Sequence, residues 1–151
     1  MKRIFYKTLI FTAAILVLSA CSQNKIPSGN YQLDIPSPSA ETAVVYGRLI
    51  VKSTGEPTLG VPYLAHLLTD EDSTLPPTVS FSYSNTKSAT IDSETGEFYF
   101  TDLSPDQQYA IILIYGPGNT QIITDEDGVN PLIIKVNAGD MIDLGNLFIE
   151  E

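Results

Sequence analysis

The sequence predicts an all-β protein: one antiparallel Greek-key β-sandwich of about seven or eight strands, set behind an export signal and a tether. Three observations carry that expectation. No 3.6-residue apolar period persists beyond Thr42. The apolar residues instead alternate with period two in short runs, the pattern of half-buried strands. Turn residues punctuate those runs at roughly 8–12-residue spacing, which suits a sandwich of short strands.

The elements follow in order. Met1 to Lys7 carries Lys2, Arg3 and Lys7 and no acid, and Thr8 to Ser19 is nearly all apolar. A basic start, a short apolar run and small residues before a cut describe a secretory signal peptide, here residues 1–20. The apolar run falls short of the ~20 residues that a membrane span needs. Leu18-Ser19-Ala20-Cys21 ends it, and Cys21 is the only cysteine in the chain. Residues 21–42 read as a flexible tether rich in Ser, Asn, Gln and Pro, a composition that favours solvated, extended backbone. Within it, Tyr31, Leu33 and Ile35 alternate and could form a short edge strand, but the linker reading is preferred.

Residues 43–151 form the expected sandwich. Val45, Gly47, Leu49 and Val51 share one face of the first strand, with Tyr46, Arg48 and Lys52 opposite. Ser53 to Pro57 is a turn. Val61, Tyr63, Ala65 and Leu67 are expected to line the inward face of the second strand, placing His66 outward. Pro62 suggests an edge position, because proline cannot donate to a ladder. An acidic loop from Thr69 to Pro77 leads to the alternating run Val79–Ser84. Ala89 and Ile91 run into Asp92-Ser93-Glu94-Thr95-Gly96, a hairpin turn whose glycine can take positive φ. Phe98 and Phe100 return inward. The run Tyr109–Tyr115 is almost continuously apolar and short, as expected of a central strand covered on both sides. Gln121–Thr124, Leu132–Val136 and Leu144–Ile149 complete the set.

Two resemblances attach to these residues. Leu18-Ser19-Ala20-Cys21 resembles the lipobox of bacterial lipoproteins. The resemblance implies cleavage between Ala20 and Cys21 and a diacylglyceryl thioether on Cys21, because a thiol is the nucleophile that takes the lipid. Acyl chains such as palmitate contribute about 0.8 kcal/mol per buried methylene, so two or more anchor a protein stably. Ser22 follows the cysteine, and in a cell with two membranes the lipoprotein resemblance then implies the outer membrane. The domain would face the periplasm or the outside. Second, Gly47–Val51 with Thr54–Pro57, Gly60–Ala65, the stretch Thr90–Phe100 and Leu103-Ser104-Pro105 followed by Tyr109 resemble the carboxypeptidase regulatory-like domain. That domain is a transthyretin-like, or prealbumin-like, sandwich, and the match spans nearly all of residues 43–149. Asp106 stands where that family usually has glycine. The resemblance implies a fold and supplies no catalytic zinc ligands.

Charge narrows the partners. Without residues 1–20 the chain keeps five basic residues against eighteen acidic ones, a formal charge of −13. Nucleic acid and anionic lipid surfaces recruit Lys/Arg patches and are therefore excluded as partners. Enzyme chemistry finds little footing: one histidine, no cysteine beyond Cys21, no Gly-x-Ser-x-Gly and no phosphate-cradling glycine loop. The reading is a non-catalytic module, anchored in the cell envelope, that contacts another envelope protein or a surface glycan. Tyr46, Tyr99 and the loop Gly116–Asn119 are the candidate contacts, with exposed tyrosines that simply cover a sheet as the plainer alternative. Three other readings stand beside it. An assembly subunit would present an exposed apolar patch around His66 or an unpaired edge strand. A hydrolase would use paired loop carboxylates such as Asp92 and Asp102. A calcium-stabilised adhesion module would bind Ca²⁺ through Asp125, Asp127 and Asn130, a turn offering hard oxygens but lacking the EF-hand's closing Glu; Asp70-Glu71-Asp72 could share the ion. No other cofactor is expected. Lys52 and Asn146 resemble by position the isopeptide pair of Cna-B-like adhesin domains, but the strand that should carry the buried acid, Tyr109–Tyr115, has no Glu or Asp.

Overall fold

The computed structural model describes residues 30–68, 78–82 and 86–150. They contain no helix and ten strands: β1 (Ala43–Val51), β2 (Val61–Leu68), β3 (Thr78–Ser80), β4 (Lys87–Ser88), β5 (Thr90–Ile91), β6 (Glu97–Leu103), β7 (Gln108–Gly116), β8 (Asn119–Ile122), β9 (Ile134–Lys135) and β10 (Met141–Ile149). Two sheets pack face to face. One has the order β10-β1-β6-β5. In the other, β2 and β7 form the centre; β3 and β4 share the outer flank of β2, and β8 and β9 share that of β7. These divided flanks raise the strand number above the expected seven or eight. Every pairing is antiparallel except β1 with β10, the first and last strands.

The core is the inward alternation of both sheets. Val45 and Leu49 of β1 and Phe98 and Phe100 of β6 meet Leu64 of β2 and Ile111 and Leu113 of β7, with Ile123, Ile134, Val136 and Ile149 closing the ends. The central position of β7 follows from its apolar run. Ala110, Ile111, Ile112 and Leu113 are all buried, and the strand has ladder partners on both sides. The expected facing of β2 is reversed. Leu64 lies in the core and pairs with Ile111, so Tyr63, Ala65 and Leu67 face outward. His66 consequently sits opposite Tyr109 and packs its ring 5.4 Å from that ring, half-buried at the core's margin. Nor is β2 an edge. Pro62 is tolerated because its backbone turns toward the short β4 side, where its carbonyl accepts from Ala89 N at 2.8 Å, and not toward the long β7 ladder.

The motif Leu103-Ser104-Pro105…Tyr109 has a mechanical role. Tyr109 Oη donates to Ser104 O (3.1 Å) and accepts from Ser104 N (2.9 Å), pinning the corner where the chain crosses from one sheet to the other. Burial of the ring pushes its hydroxyl pKa up.

A strapped cleft as the candidate functional site

The outer face of the β10-β1-β6-β5 sheet is built from residues that the alternation turns away from the core. Register places Tyr46 opposite Tyr99 and Arg48 opposite Glu97, with Asp143 of β10 on the other side of Tyr46. This face is not bare. Residues 30–42, expected as the distal part of a flexible tether, lie across it as a docked strap. Tyr31, Leu33 and Ile35 are half-buried, and the alternating Gln32, Asp34 and Pro36 are exposed.

Glu97 is the clamp. Its carboxylate is completely buried. Oε2 accepts the backbone N–H groups of Gln32 and Leu33, each at 2.7 Å, and Oε1 accepts from Arg48 Nη2 at 2.5 Å. A buried carboxylate is tolerated only when paired and hydrogen-bonded, and here the strap's own backbone supplies two of the donors. Tyr31 is the second fastening. Its ring meets Tyr46 edge to face at 5.2 Å and lies 5.8 Å beneath the Arg48 guanidinium. Its hydroxyl donates to Asp143 Oδ1 at 2.6 Å, an oxygen that also accepts Gly145 N. Burial, then the hydrogen bond to Asp143 and the charge of Asp143, push the Tyr31 pKa up from its ordinary 10.0. Tyr46 is pushed the same way by burial and by Asp143.

Because its folded-state pKa is raised, Tyr31 contributes stability that is whole below pH 10 and is lost as pH rises through the folded value. Tyr31→Phe removes the hydroxyl's hydrogen bond, and the strap is expected to weaken by about 1 kcal/mol. Ultraviolet titration of tyrosinate should then show one late-ionising tyrosine fewer. An unchanged titration would show that the strap does not shelter this hydroxyl.

Beyond the clamp, the strap and the sheet part to leave an open cleft of about 380 Å³. Pro36 to Ser39 form one wall; Tyr99, Thr101 and Asp102 of β6, with Thr90 and Val44, form the other. A β-bulge shapes the second wall. Val45 pairs with Phe100 and Ala43 with Leu103, so Thr101 and Asp102 together oppose the single Val44. Asp102 takes φ 53°, the one non-glycine residue with positive φ among those described. Lys87 ties the bulge down, its Nζ donating to Thr101 O (3.0 Å) and Asp102 O (3.3 Å). Bulges of this kind re-aim side chains.

The other sequence-derived candidates fall as follows. Tyr99 lines the cleft. Tyr46 does not: the strap buries it completely, so it is unavailable to a partner, and its hydroxyl finds no hydrogen-bond partner among the described residues. Asn119 is exposed where β8 leaves the Gly116-Pro117-Gly118 turn, on the opposite sheet. Asp125, Asp127 and Asn130 share one tight turn, closed by Asp125 N donating to Asn130 O at 2.8 Å, with Asp127 and Asn130 exposed. Among the described residues no three His, Cys, Asp or Glu side chains gather as a metal site. Asp70–Asp72, Ala20 and Cys21 lie outside the described residues. Asp92 N bonds to Glu97 O, five residues along β6 from Asp102, so the two residues stand roughly 17 Å apart along the strand at about 3.3 Å per residue. Paired catalytic carboxylates sit ~5–9 Å apart, which these do not. Lys52 pairs with Glu150 Oε1 at 3.0 Å in the open, while Asn146 registers with Arg48, so no Lys–Asn crosslink is set up.

Sequence reasoning passed over Glu97, Tyr31 and Asp143. The signals were present: an alternating Tyr31-Leu33-Ile35, and an acid on the outward side of a strand otherwise rich in aromatics. The strap's docking depends on strands distant in sequence, so neither signal named its partner.

No protein-family model and no curated protein matches the chain. Among solved structures, a candidate carbohydrate binding protein from Pseudomonas aeruginosa is similar at 14% identity and a TM-score of 0.40, over 77% of this chain and 100% of that one. A 9R-lipoxygenase from Cyanothece is similar at 18% identity and a TM-score of 0.33, over 80% of this chain and 18% of that one. Likenesses this slight carry no functional reading.

Proposed function

We propose that this chain is a lipid-anchored cell-envelope protein that displays its β-sandwich as a non-catalytic binding module, contacting a surface glycan or another envelope protein. The observation that carries the binding role is the strapped cleft: an open, hydroxyl-lined recess beside Tyr99, shaped by a bulge and walled by the segment that leads back toward Cys21. The anchor rests on the lipobox resemblance at Leu18–Cys21, and the resemblance to carboxypeptidase regulatory-like domains agrees with a sandwich that binds and does not catalyse. Calcium at the Asp125 turn is not needed for this role.

Fractionation of cells producing tagged protein tests the anchor. Wild-type protein is expected almost wholly in the membrane fraction. Cys21→Ala is expected to keep its signal segment uncut or to shift to the soluble fraction, and in either case to lose the lipid mass. Wild-type protein recovered in the soluble fraction without lipid would remove the anchor. In-cell crosslinking of the wild type would then separate a single protein partner from a glycan ligand.

A further inference from the structure

We propose that the cleft between Pro36–Ser39 and the β6 bulge is a binding site for a neutral saccharide, with Tyr99 as the stacking platform and Asp102 as the acceptor of sugar hydroxyls. This rests on the binding-module reading and names the ligand class of that site.

A sugar ring presents an apolar C–H face and a rim of hydroxyls. The cleft offers the complement. Tyr99 is half-buried and supplies an aromatic surface at the wall, and a ring of C–H groups packs well against such a face. Thr90, Thr101, Ser37 and Ser39 supply hydroxyls that both donate and accept. Asp102 supplies a charge-assisted acceptor. Its side chain is 72% exposed. Thr101 Oγ1 donates to its Oδ2 at 3.0 Å and Lys87 Nζ lies 3.8 Å from that oxygen, while its Oδ1 takes no hydrogen bond among the described residues. The left-handed backbone of Asp102 is a second pointer. Aspartate is among the few non-glycine residues that enter this region, and such outliers concentrate at ligand sites. A glycine would fit that φ with less strain, yet the chain places a carboxylate there.

The lining also excludes classes of ligand. Its residues include no cation; the nearest one, Lys87, is held by Asp102 Oδ2 at 3.8 Å and by the Thr101 and Asp102 carbonyls, and the chain carries many more acids than bases. Phosphates and acidic sugars are therefore repelled. A peptide docking by strand addition needs a ladder, and the neighbouring edge strand β5 is only two residues long. A volume near 380 Å³ is at the small end for ligand sites, so a short stretch of saccharide is held and the remainder of a polymer stays outside. The Glu97 clamp enters as a positioning element, because it holds the strap that forms the second wall.

The test is an NMR titration of the mature chain from residue 21, carrying Cys21→Ser so that no lipid is added, with cellotriose, maltotriose, triacetylchitotriose and a galacturonate trimer. At least one neutral trisaccharide is expected to shift the backbone amides of Tyr99, Thr101 and Asp102 in a saturable way, and the galacturonate trimer is expected to leave them unmoved. Asp102→Gly suits the local φ, so it should fold as well as wild type while binding about tenfold more weakly. Tyr99→Ala is expected to lose at least about fivefold. The proposal is overturned if no neutral sugar shifts these amides, if the acidic trimer binds as tightly as the neutral ones, or if Asp102→Gly binds like wild type. The anchored-module reading would survive each of those results, because fractionation and crosslinking test it separately.

Discussion

Glu97→Ala is expected to lower the unfolding free energy by about 3 kcal/mol and to release the strap. The carboxylate is fully buried and holds three donors: Arg48 Nη2 and the N–H groups of Gln32 and Leu33. Its removal leaves two backbone N–H groups and a guanidinium that is only 31% exposed without their acceptor. Breaking a buried pair from one side costs ~3–5 kcal/mol, and the lower end applies because Arg48 can turn partly to water. Chemical denaturation would measure the loss, and hydrogen exchange across residues 31–38 would locate it. Exchange there should become fast while β7 stays protected. If the strap stays protected in the variant, Glu97 is not the clamp, and Tyr31 with Asp143 must hold the segment alone.

Gly96→Ala is expected to cost at least about 2 kcal/mol. Gly96 closes the β5–β6 turn at φ +74°, a conformation that costs an L-residue ~1–2 kcal/mol. Strain is only part of the loss. A Cβ at this position would sit 2.5 Å from Leu49 O, a backbone atom of β1. Leu49 N in turn donates to Gly96 O at 2.9 Å. The added methyl therefore pries the turn from β1, beside Glu97. Gly118→Ala is the control: its φ is similar at +76°, but nothing lies within 4 Å of the new Cβ, so only the strain of ~1 kcal/mol applies. Thermal melts of the two variants should separate by several degrees. Equal shifts would show that the contact with Leu49 yields easily.

Both residues stand where the alternation of one strand meets the needs of another, and that boundary separates what was legible from what was not. The inward sets Val45-Leu49 and Phe98-Phe100 could be read directly, because burial on one face of a strand writes a period of two into the chain, and the centre of the second sheet could be read from the continuous apolar run of β7. The Asp92–Gly96 turn and the Tyr109 corner could be read for a similar reason: each depends on neighbours a few residues away. The second strand is out by one position. Ala65 and Leu67 are as apolar as a core set and are buried on the outer face, so alternation alone could not tell which side of β2 faced the other sheet. Its flanks were no more legible, since Pro62 records only which side lacks a donor.

The candidate site was less legible. Tyr99 was found because it alternates outward beside an aromatic core, but Tyr46, its neighbour in register, has the same local signature and the opposite fate. Nothing within β1 distinguishes a tyrosine under a strap from one facing solvent. The bulge at Thr101–Asp102 depends on a mismatch in length against Ala43–Val45, which only pairing reveals. The cleft exists because of both.

By itself, then, the sequence determined the class of fold, its central strand and its hairpin turn, and offered a lone cysteine in a lipobox-like stretch, all of them consequences of local period, turn chemistry or peptide-level motif. Tertiary structure decided that residues 31–39 belong to the domain, that Glu97 is a clamp and not a surface acid, and that Asp102 shares a recess with Tyr99. The physical reason is distance along the chain. Glu97 meets its strap across 64 and 65 residues, and Tyr31 meets Asp143 across 112, so the partners that make these side chains matter are absent from any window in which they could be read.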